Sequence, residues 1–144
     1  MTKKNLWLMT ALVVIATIYI CFFTDWFKPK TITLFDTSRP MQRFHGRKDL
    51  PYIMFGITEG KMKLTEVKVV PLDSFKTNSA TPAMWHLVSD SNSTPVQRFV
   101  YGQRIGGMKP YVQGLTPQPL ETNVTYRLFV VAGKEKGEHD FEIK

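Results

Sequence analysis

Side chains that can bind a metal are few in this sequence and far apart. The histidines are His45, His86 and His139, and none has a second ligand at the short spacing typical of zinc sites. The single cysteine, Cys21, lies in an apolar segment near the amino terminus. A structural zinc site takes closely spaced cysteine or histidine pairs. We therefore expect no metal and no other cofactor.

Groups that could act as nucleophiles or bind phosphate are equally unspecific. Ser89–Ser93 holds hydroxyls and a carboxylate, but its composition is typical of a loop, and the sequence has no G-x-S-x-G or S-x-x-K motif. Gly102–Gly107 lacks the G-K-[ST] ending of a phosphate-binding loop and predicts a turn. Lysines and arginines fall in no recognisable nucleic-acid-binding module. We expect a protein that is not an enzyme and does not bind nucleic acid.

The segment that determines where these side chains reside is an uncharged run of 18 residues, Leu6–Phe23. As a helix that rises about 1.5 Å per residue it spans roughly 27 Å, which suits a hydrocarbon core about 30 Å thick. Trp7 near its start and Tyr19 near its end belong to residue types that favour the headgroup layer. We predict a short basic tail (1–5) and a single-pass transmembrane helix (6–23) that acts as a signal anchor.

Other interpretations of this segment stay open. Val14-Ile15-Ala16 is an acceptable signal-peptide cleavage site, and lipidation of Cys21 is a second alternative, disfavoured because the bulky Ile20 precedes it. A buried helix of a soluble protein is disfavoured because the run lacks a polar stripe. Lys3 and Lys4 favour a cytoplasmic amino terminus, which places the rest of the chain on the extracytoplasmic side, periplasmic or extracellular.

After a linker (24–30), the pattern of apolar residues predicts one domain of β-strands (31–144). Frequent turns between short strands, with no helical period after residue 30, indicate a mainly β fold, an antiparallel sandwich of two sheets. Gly133–Gly137 is predicted to be a five-residue hairpin loop. The predicted strands before the final hairpin are Thr31–Phe35, Tyr52–Ile57, Leu64–Val70, Met84–Val88 and Val96–Tyr101.

The segment from Pro119 to Leu128 resembles the approach to the penultimate strand of fibronectin type III and immunoglobulin-like domains. Leu120 stands six residues before Tyr126, as in the tyrosine corner of those domains, although Thr122 replaces the usual proline. The resemblance covers mainly the last third of the chain. It implies that the Tyr126 hydroxyl bonds to upstream backbone and that Trp85 is the buried tryptophan of an earlier strand.

Function follows from this organisation only as a class. The formal charge is +7, and removing Lys3 and Lys4 leaves +5, which suits anionic lipid or an acidic surface. We expect a membrane-anchored β-sandwich module that contacts a partner protein or an envelope component. The alternatives are a small accessory subunit of a membrane secretion or transport complex and, less favoured, an enzyme acting on an anionic substrate. The predicted membrane-surface contacts are Trp26, Lys28, Lys30, Arg39, Arg43, Arg47 and Lys48.

Overall fold

Helix α1 (Lys3–Phe23) is the first element of the computed structural model, which describes residues 2–23, 28, 30–38, 52–90 and 93–144. None of the residues of this helix is buried. The hydroxyls of Thr10 and Thr17 donate to backbone carbonyls one turn earlier, at 3.0 and 2.8 Å, so neither needs water as a partner. The helix is long and apolar enough to cross a membrane, and it begins three residues earlier than the predicted span.

The rest of the described chain is built mainly from short antiparallel strands, as the sequence predicts. The described elements after α1 are β1 (Leu34–Ser38), β2 (Ile53–Ile57), β3 (Met62–Lys63), β4 (Glu66–Pro71), α2 (Leu72–Thr77), β5 (Trp85–Val88), β6 (Pro95–Val96), β7 (Arg98–Val100), β8 (Lys109–Pro110), β9 (Thr125–Ala132) and β10 (Glu135–Glu142).

Within the described ranges these strands form two main sheets and a small one. The three-stranded sheet has the order β1-β2-β7, the five-stranded sheet has the order β10-β9-β4-β5-β8, and β3 pairs with β6 alone. The hydrophobic core contains buried side chains from both main sheets, which therefore face each other. The predicted fold class, antiparallel β with one amino-terminal helix, is confirmed.

Alternation of apolar side chains produces the core. In β9, Tyr126, Leu128 and Val130 all point inward and are buried, whereas the residues between them are half-exposed. Phe55 of β2 joins the sheets, because its ring lies 4.9 Å from that of Phe141 in β10 and 5.6 Å from that of Phe99 in β7. Ring distances of this size are typical of attractive aromatic pairs in protein cores.

The final hairpin has a shorter loop than predicted. Ala132 pairs with Glu135, so only Gly133 and Lys134 form the turn. Gly133 has a φ of 63°, a left-handed conformation that glycine adopts without steric cost and that a type II′ turn requires at its first central position. The predicted five-residue loop is wrong because the polar residues after Lys134 already belong to β10.

Two further differences have simple causes. The predicted strand Val96–Tyr101 is divided at Gln97, because β6 pairs with β3 and β7 pairs with β2. Helix α2, which the sequence analysis did not predict, has six residues, too few to show a helical period. It follows Pro71 directly, its first residue Leu72 is buried, and its Phe75 ring lies 5.3 Å from the Phe129 ring of β9.

One lateral opening between the two main sheets, which we call the closed seam, is covered where β1 meets β10. Ile32 donates its backbone N–H to the Lys136 carbonyl at 2.8 Å, and the Lys136 N–H donates to the Lys30 carbonyl at 3.3 Å. Farther along, His139 Nε2 lies 2.6 Å from Asp36 Oδ1. The predicted strand Thr31–Phe35 therefore begins on β10, as an isolated parallel bridge, and continues on β2 as β1.

Candidate binding cleft

The opposite lateral opening, the open seam, holds a cleft of about 930 Å³ between the edge of the five-stranded sheet and the loop that carries β8. Residues 102–112 and 115–118 of this loop line the cleft, together with the start of β5 and the segment 80–84 that precedes it. β7 pairs with β2, and β8 pairs with β5, so the described backbone has no ladder between the two sheets on this side. The loop therefore covers the core on this side but leaves the cleft open.

Tyr101 holds the two ends of this loop region together. Its hydroxyl lies 2.7 Å from the carbonyl oxygen of Gln118 and 3.2 Å from that of Met84, and its ring meets the Trp85 ring edge-on at 5.4 Å. The Gln118 N–H also donates to the Met84 carbonyl at 3.0 Å. Burial raises the pKa of the Tyr101 hydroxyl far above its ordinary value, with a further increase from Tyr126, so the hydroxyl remains a proton donor.

Apolar side chains protrude at the rim of the cleft. Tyr111, Val112 and Leu115 are 65%, 49% and 48% exposed, although a soluble domain gains free energy by burying such groups. Among the described residues after α1, they make up most of the exposed large hydrophobic side chains; the other is Phe35. We call Tyr111, Val112 and Leu115 the apolar rim. Exposed apolar groups that cluster beside a cleft are typical of interaction sites.

A polar wall stands beside the apolar rim on the outer face of the five-stranded sheet. The His86 ring stacks on the Tyr111 ring with centroids 4.4 Å apart, and His86 Nε2 lies 2.7 Å from Glu66 Oε1. Lys68 pairs with His86 across the strands and also lines the cleft. The sequence from 91 to 120 contains no aspartate or glutamate but includes the exposed Arg104. The cleft therefore combines an apolar rim with a basic margin.

The sheet edges at the open seam are poor templates for an added strand. Val100 of β7 has both backbone groups engaged by one residue, because its N–H donates to Gln103 Oε1 at 2.9 Å and its carbonyl accepts from the Gln103 N–H at 3.0 Å. In β8, Pro110 has no N–H to donate. Side chains, rather than a backbone ladder, are therefore the groups that this cleft offers to a ligand.

The three structural residues singled out from the sequence are all buried, but they do not form one site. Trp85 lies in β5, Leu120 precedes β9, and Tyr126 is the second residue of β9. The Tyr126 hydroxyl accepts a hydrogen bond from the backbone N–H of Glu121 at 2.9 Å. Trp85 belongs to the wall of the open seam, whereas the contact between Tyr126 and Glu121 pins the segment that leads into β9.

Of the predicted membrane-surface contacts, Lys28 and Lys30 are among the described residues, and both are exposed. Lys30 Nζ lies 3.9 Å from Glu135 Oε1. Ser38 and Tyr52, which flank the segment 39–51, lie at the end of the sandwich opposite to Lys30, because β1 runs away from Lys30 and its last residue, Ser38, pairs with Ile53. The remaining predicted contacts lie outside the described residues: Trp26, Arg39, Arg43, Arg47 and Lys48.

Sequence reasoning singled out Trp85, which lines the cleft, but did not identify the apolar rim. Tyr111, Val112 and Leu115 stand among glycines and prolines, so they have no periodicity that would mark them as core or surface. The available signal was compositional: a turn-rich segment without acidic residues that still contains large apolar side chains. In the described part of the chain, no three histidine, cysteine, aspartate or glutamate residues come together as a metal site. No family model, curated protein or solved structure matches this chain.

Proposed function

We propose that this protein is a membrane-anchored, non-enzymatic β-sandwich module that binds a partner protein or envelope component through the cleft at the open seam. The observation that carries the proposal is the apolar rim, exposed beside a cleft of about 930 Å³. Cavities of roughly 300–1,000 Å³ are typical of binding sites. The basic margin favours a partner that presents acidic groups around an apolar anchor.

The strand order supports an immunoglobulin or fibronectin type III-like domain. The seven main strands, in chain order, are β1, β2, β4, β5, β7, β9 and β10. The first, second and fifth of these form one sheet, whereas the third, sixth and seventh belong to the other. A constant-type immunoglobulin domain has the same partition, except that its fourth strand joins the first sheet. In this chain β5 pairs with β4 instead. Domains of this architecture serve many functions, so the fold alone does not select one.

Helix α1 provides the membrane attachment in this proposal, as a single-pass anchor. From Leu6 onward its side chains are uncharged, mostly apolar and unburied, an arrangement that is unfavourable in water and favourable among lipid tails. With Lys3 and Lys4 on the cytoplasmic side, the sandwich lies on the extracytoplasmic side of the membrane. Protease treatment of sealed vesicles tests this orientation, since a domain on the opposite side would show the opposite pattern of protection.

Site-specific photocrosslinking in intact membranes tests the binding function. A photoreactive amino acid at position 115, in the apolar rim, should give a discrete adduct with one partner species. The matched control places it at position 142, on the exposed edge strand β10, where we expect no adduct of that mass. Equal adduct patterns from both positions, or recovery of the monomer alone from position 115, would contradict the proposed cleft.

An accessory subunit of a membrane complex is the second candidate, because α1 leaves its whole surface available to other helices. Ala11 and Ala16 are the small alanines of the span, and they are five residues apart, which does not match the four-residue spacing that brings helix backbones close. A photoreactive residue within α1 separates the two candidates. Adducts from α1 but not from the apolar rim would favour the subunit.

A further inference from the structure

Lysines are concentrated at one end of the sandwich. This is the end where the chain enters from α1. Lys136 stands beside this entry point, because it is bridged to Thr31 and its N–H donates to Lys30. Lys134 lies in the turn that immediately precedes β10. Both side chains are exposed.

A connection between the two sheets brings further lysines to the same end. Thr58, which follows β2, donates its N–H to the Thr33 carbonyl at 3.0 Å, so the chain turns beside the entry point. It then passes through Lys61 and Lys63, both exposed, and reaches Thr65, whose hydroxyl accepts from the Gly133 N–H at 3.0 Å. We call this surface the lysine end. It is formed by Lys30, Lys61, Lys63, Lys134 and Lys136.

Carboxylates do not neutralise the lysine end. Glu135 lies 3.9 Å from Lys30, and Glu59 accepts the Thr33 N–H at 2.8 Å, which lowers the pKa of this exposed carboxyl group. Glu66 and Asp90 also lie near Thr65, but they pair with His86 and Lys109 at 2.7 Å, which leaves Glu59 and Glu135 beside the five lysines. The described charges at the opposite end are more evenly matched and consist of Asp73, Lys76, Glu121, Glu142 and Lys144.

Chain length keeps the lysine end close to any membrane that holds α1. The backbone from Phe23 to Lys30 can span at most about 25 Å, even when fully extended. Basic side chains attract an anionic surface over about one Debye length, roughly 8 Å at physiological salt. The short linker therefore keeps the lysine end near the lipid headgroups. Each lysine thus meets the headgroups at a high effective concentration.

We propose that the lysine end binds anionic lipid headgroups and orients the sandwich on the membrane with its entry end against the bilayer. This inference rests on the anchoring part of the proposed function and adds the lipid class and the contacting residues. Lysine acts as a compact point charge, which suits diffuse attraction to a charged surface. A contact of this kind needs no shaped pocket.

Lysine-specific acylation of the full chain in nanodiscs, read by mass spectrometry, tests the proposal. One preparation contains phosphatidylcholine alone, and the other contains equal parts of phosphatidylcholine and phosphatidylglycerol. Since one lysine near an anionic surface strengthens association by about fivefold, acylation at Lys61, Lys63, Lys134 and Lys136 should slow by about that factor or more in the anionic nanodiscs. Lys76 and Lys144 are internal controls whose rates should not change, and concentrated salt should abolish the difference.

Variants provide a second measurement. Replacing Lys61, Lys63, Lys134 and Lys136 with glutamine should remove the protection of Lys30 in anionic nanodiscs. The matched control, Lys76→Gln with Lys144→Gln, should retain it. If the fourfold variant does not fold, the comparison of the two nanodiscs with the natural chain still decides the question.

Three results have distinct meanings. Equal acylation rates in the two nanodiscs would overturn the lipid proposal while leaving the anchor and the cleft untouched. Protection in native membranes but not in anionic nanodiscs would also overturn it, in favour of an acidic protein. Release of the full chain from membranes by alkaline carbonate would instead disprove the anchoring that the proposed function requires.

Discussion

The two lateral openings between the sheets, the closed seam and the open seam, are covered in different ways. At the closed seam, backbone hydrogen bonds from Ile32 and Lys136 join the segment that leads into β1 to the last strand, β10. At the open seam, a glycine- and proline-rich loop covers the core, held by the Tyr101 hydroxyl, and leaves a cleft with exposed apolar groups. Backbone pairing brings the two chain segments of the closed seam into direct contact and leaves no cleft between them, whereas the loop at the open seam fills the space less completely and leaves a cleft.

Trp85→Ala should have the largest effect, because it removes the main aromatic wall of the open seam. Trp85 is 4% exposed and contacts the rings of Phe99 and Tyr101. Truncation of a core tryptophan typically costs about 3–5 kcal/mol of unfolding free energy. Urea titration of the variant and of the natural chain measures this loss of unfolding free energy. The control Tyr111→Ala, in the apolar rim, should change stability by about 0.5 kcal/mol or less, and equal losses would refute the division into core wall and exposed rim.

Gly137→Ala should break the closed seam. A β-carbon at position 137 would lie 2.6 Å from the carbonyl oxygen of Ile32, so the entering chain would have to move away from β10. Overpacking of this kind typically costs about 1–3 kcal/mol. The neighbouring exposed site Lys136→Ala provides the control in the same urea titration. If both variants unfold at the same midpoint as the natural chain, the entering chain does not depend on close contact with β10.

Tyr126→Phe and Tyr101→Phe compare two buried hydroxyls. Each should lower stability by about 1 kcal/mol, through loss of a hydrogen bond to backbone. Only Tyr101→Phe should also loosen the cleft, because its hydroxyl ties Gln118 to Met84. Hydrogen exchange at the Gln118 amide distinguishes them. Faster exchange in both variants, or in neither, would remove Tyr101 from its proposed role at the open seam, and unchanged melting of Tyr126→Phe would remove the tyrosine-corner argument.

Asp140→Asn should have the smallest effect, near the closed seam. The pKa of the Asp140 carboxyl is lowered because the Arg127 guanidinium donates two hydrogen bonds to it, at 2.6 and 2.9 Å. A carboxyl whose pKa is lower in the folded state stabilises the fold above its ordinary pKa and loses that contribution as the pH falls through the folded value.

Because the Asp140 pair is largely solvated, we expect a loss of about 0.2–1 kcal/mol at neutral pH. The difference from the natural chain should shrink in acid, where both carry a neutral group. Glu142→Gln on the same strand is the control and should show no such convergence. Thermal unfolding at neutral and acid pH measures both, and a difference that grows in acid would contradict the assigned sign.

The strands were predictable where alternation is strict, and the site was not. β9 shows perfect alternation, so its inward face could be read from the sequence. The division at Gln97 could not, because it depends on two separate partner strands. The cleft depends on where Tyr101 meets Gln118, a contact between distant residues that no local pattern encodes. Likewise, Lys61 and Lys136 come to one end only through the fold.

Gln103 also affects how two copies of this protein can meet at their sheet edges. An edge strand whose backbone groups are unpaired can pair with the edge strand of a second copy, so that one sheet continues onto the next. Gln103 occupies both backbone groups of Val100, one with its side-chain amide and the other with its own N–H, and so removes this position of β7 as a template for such pairing.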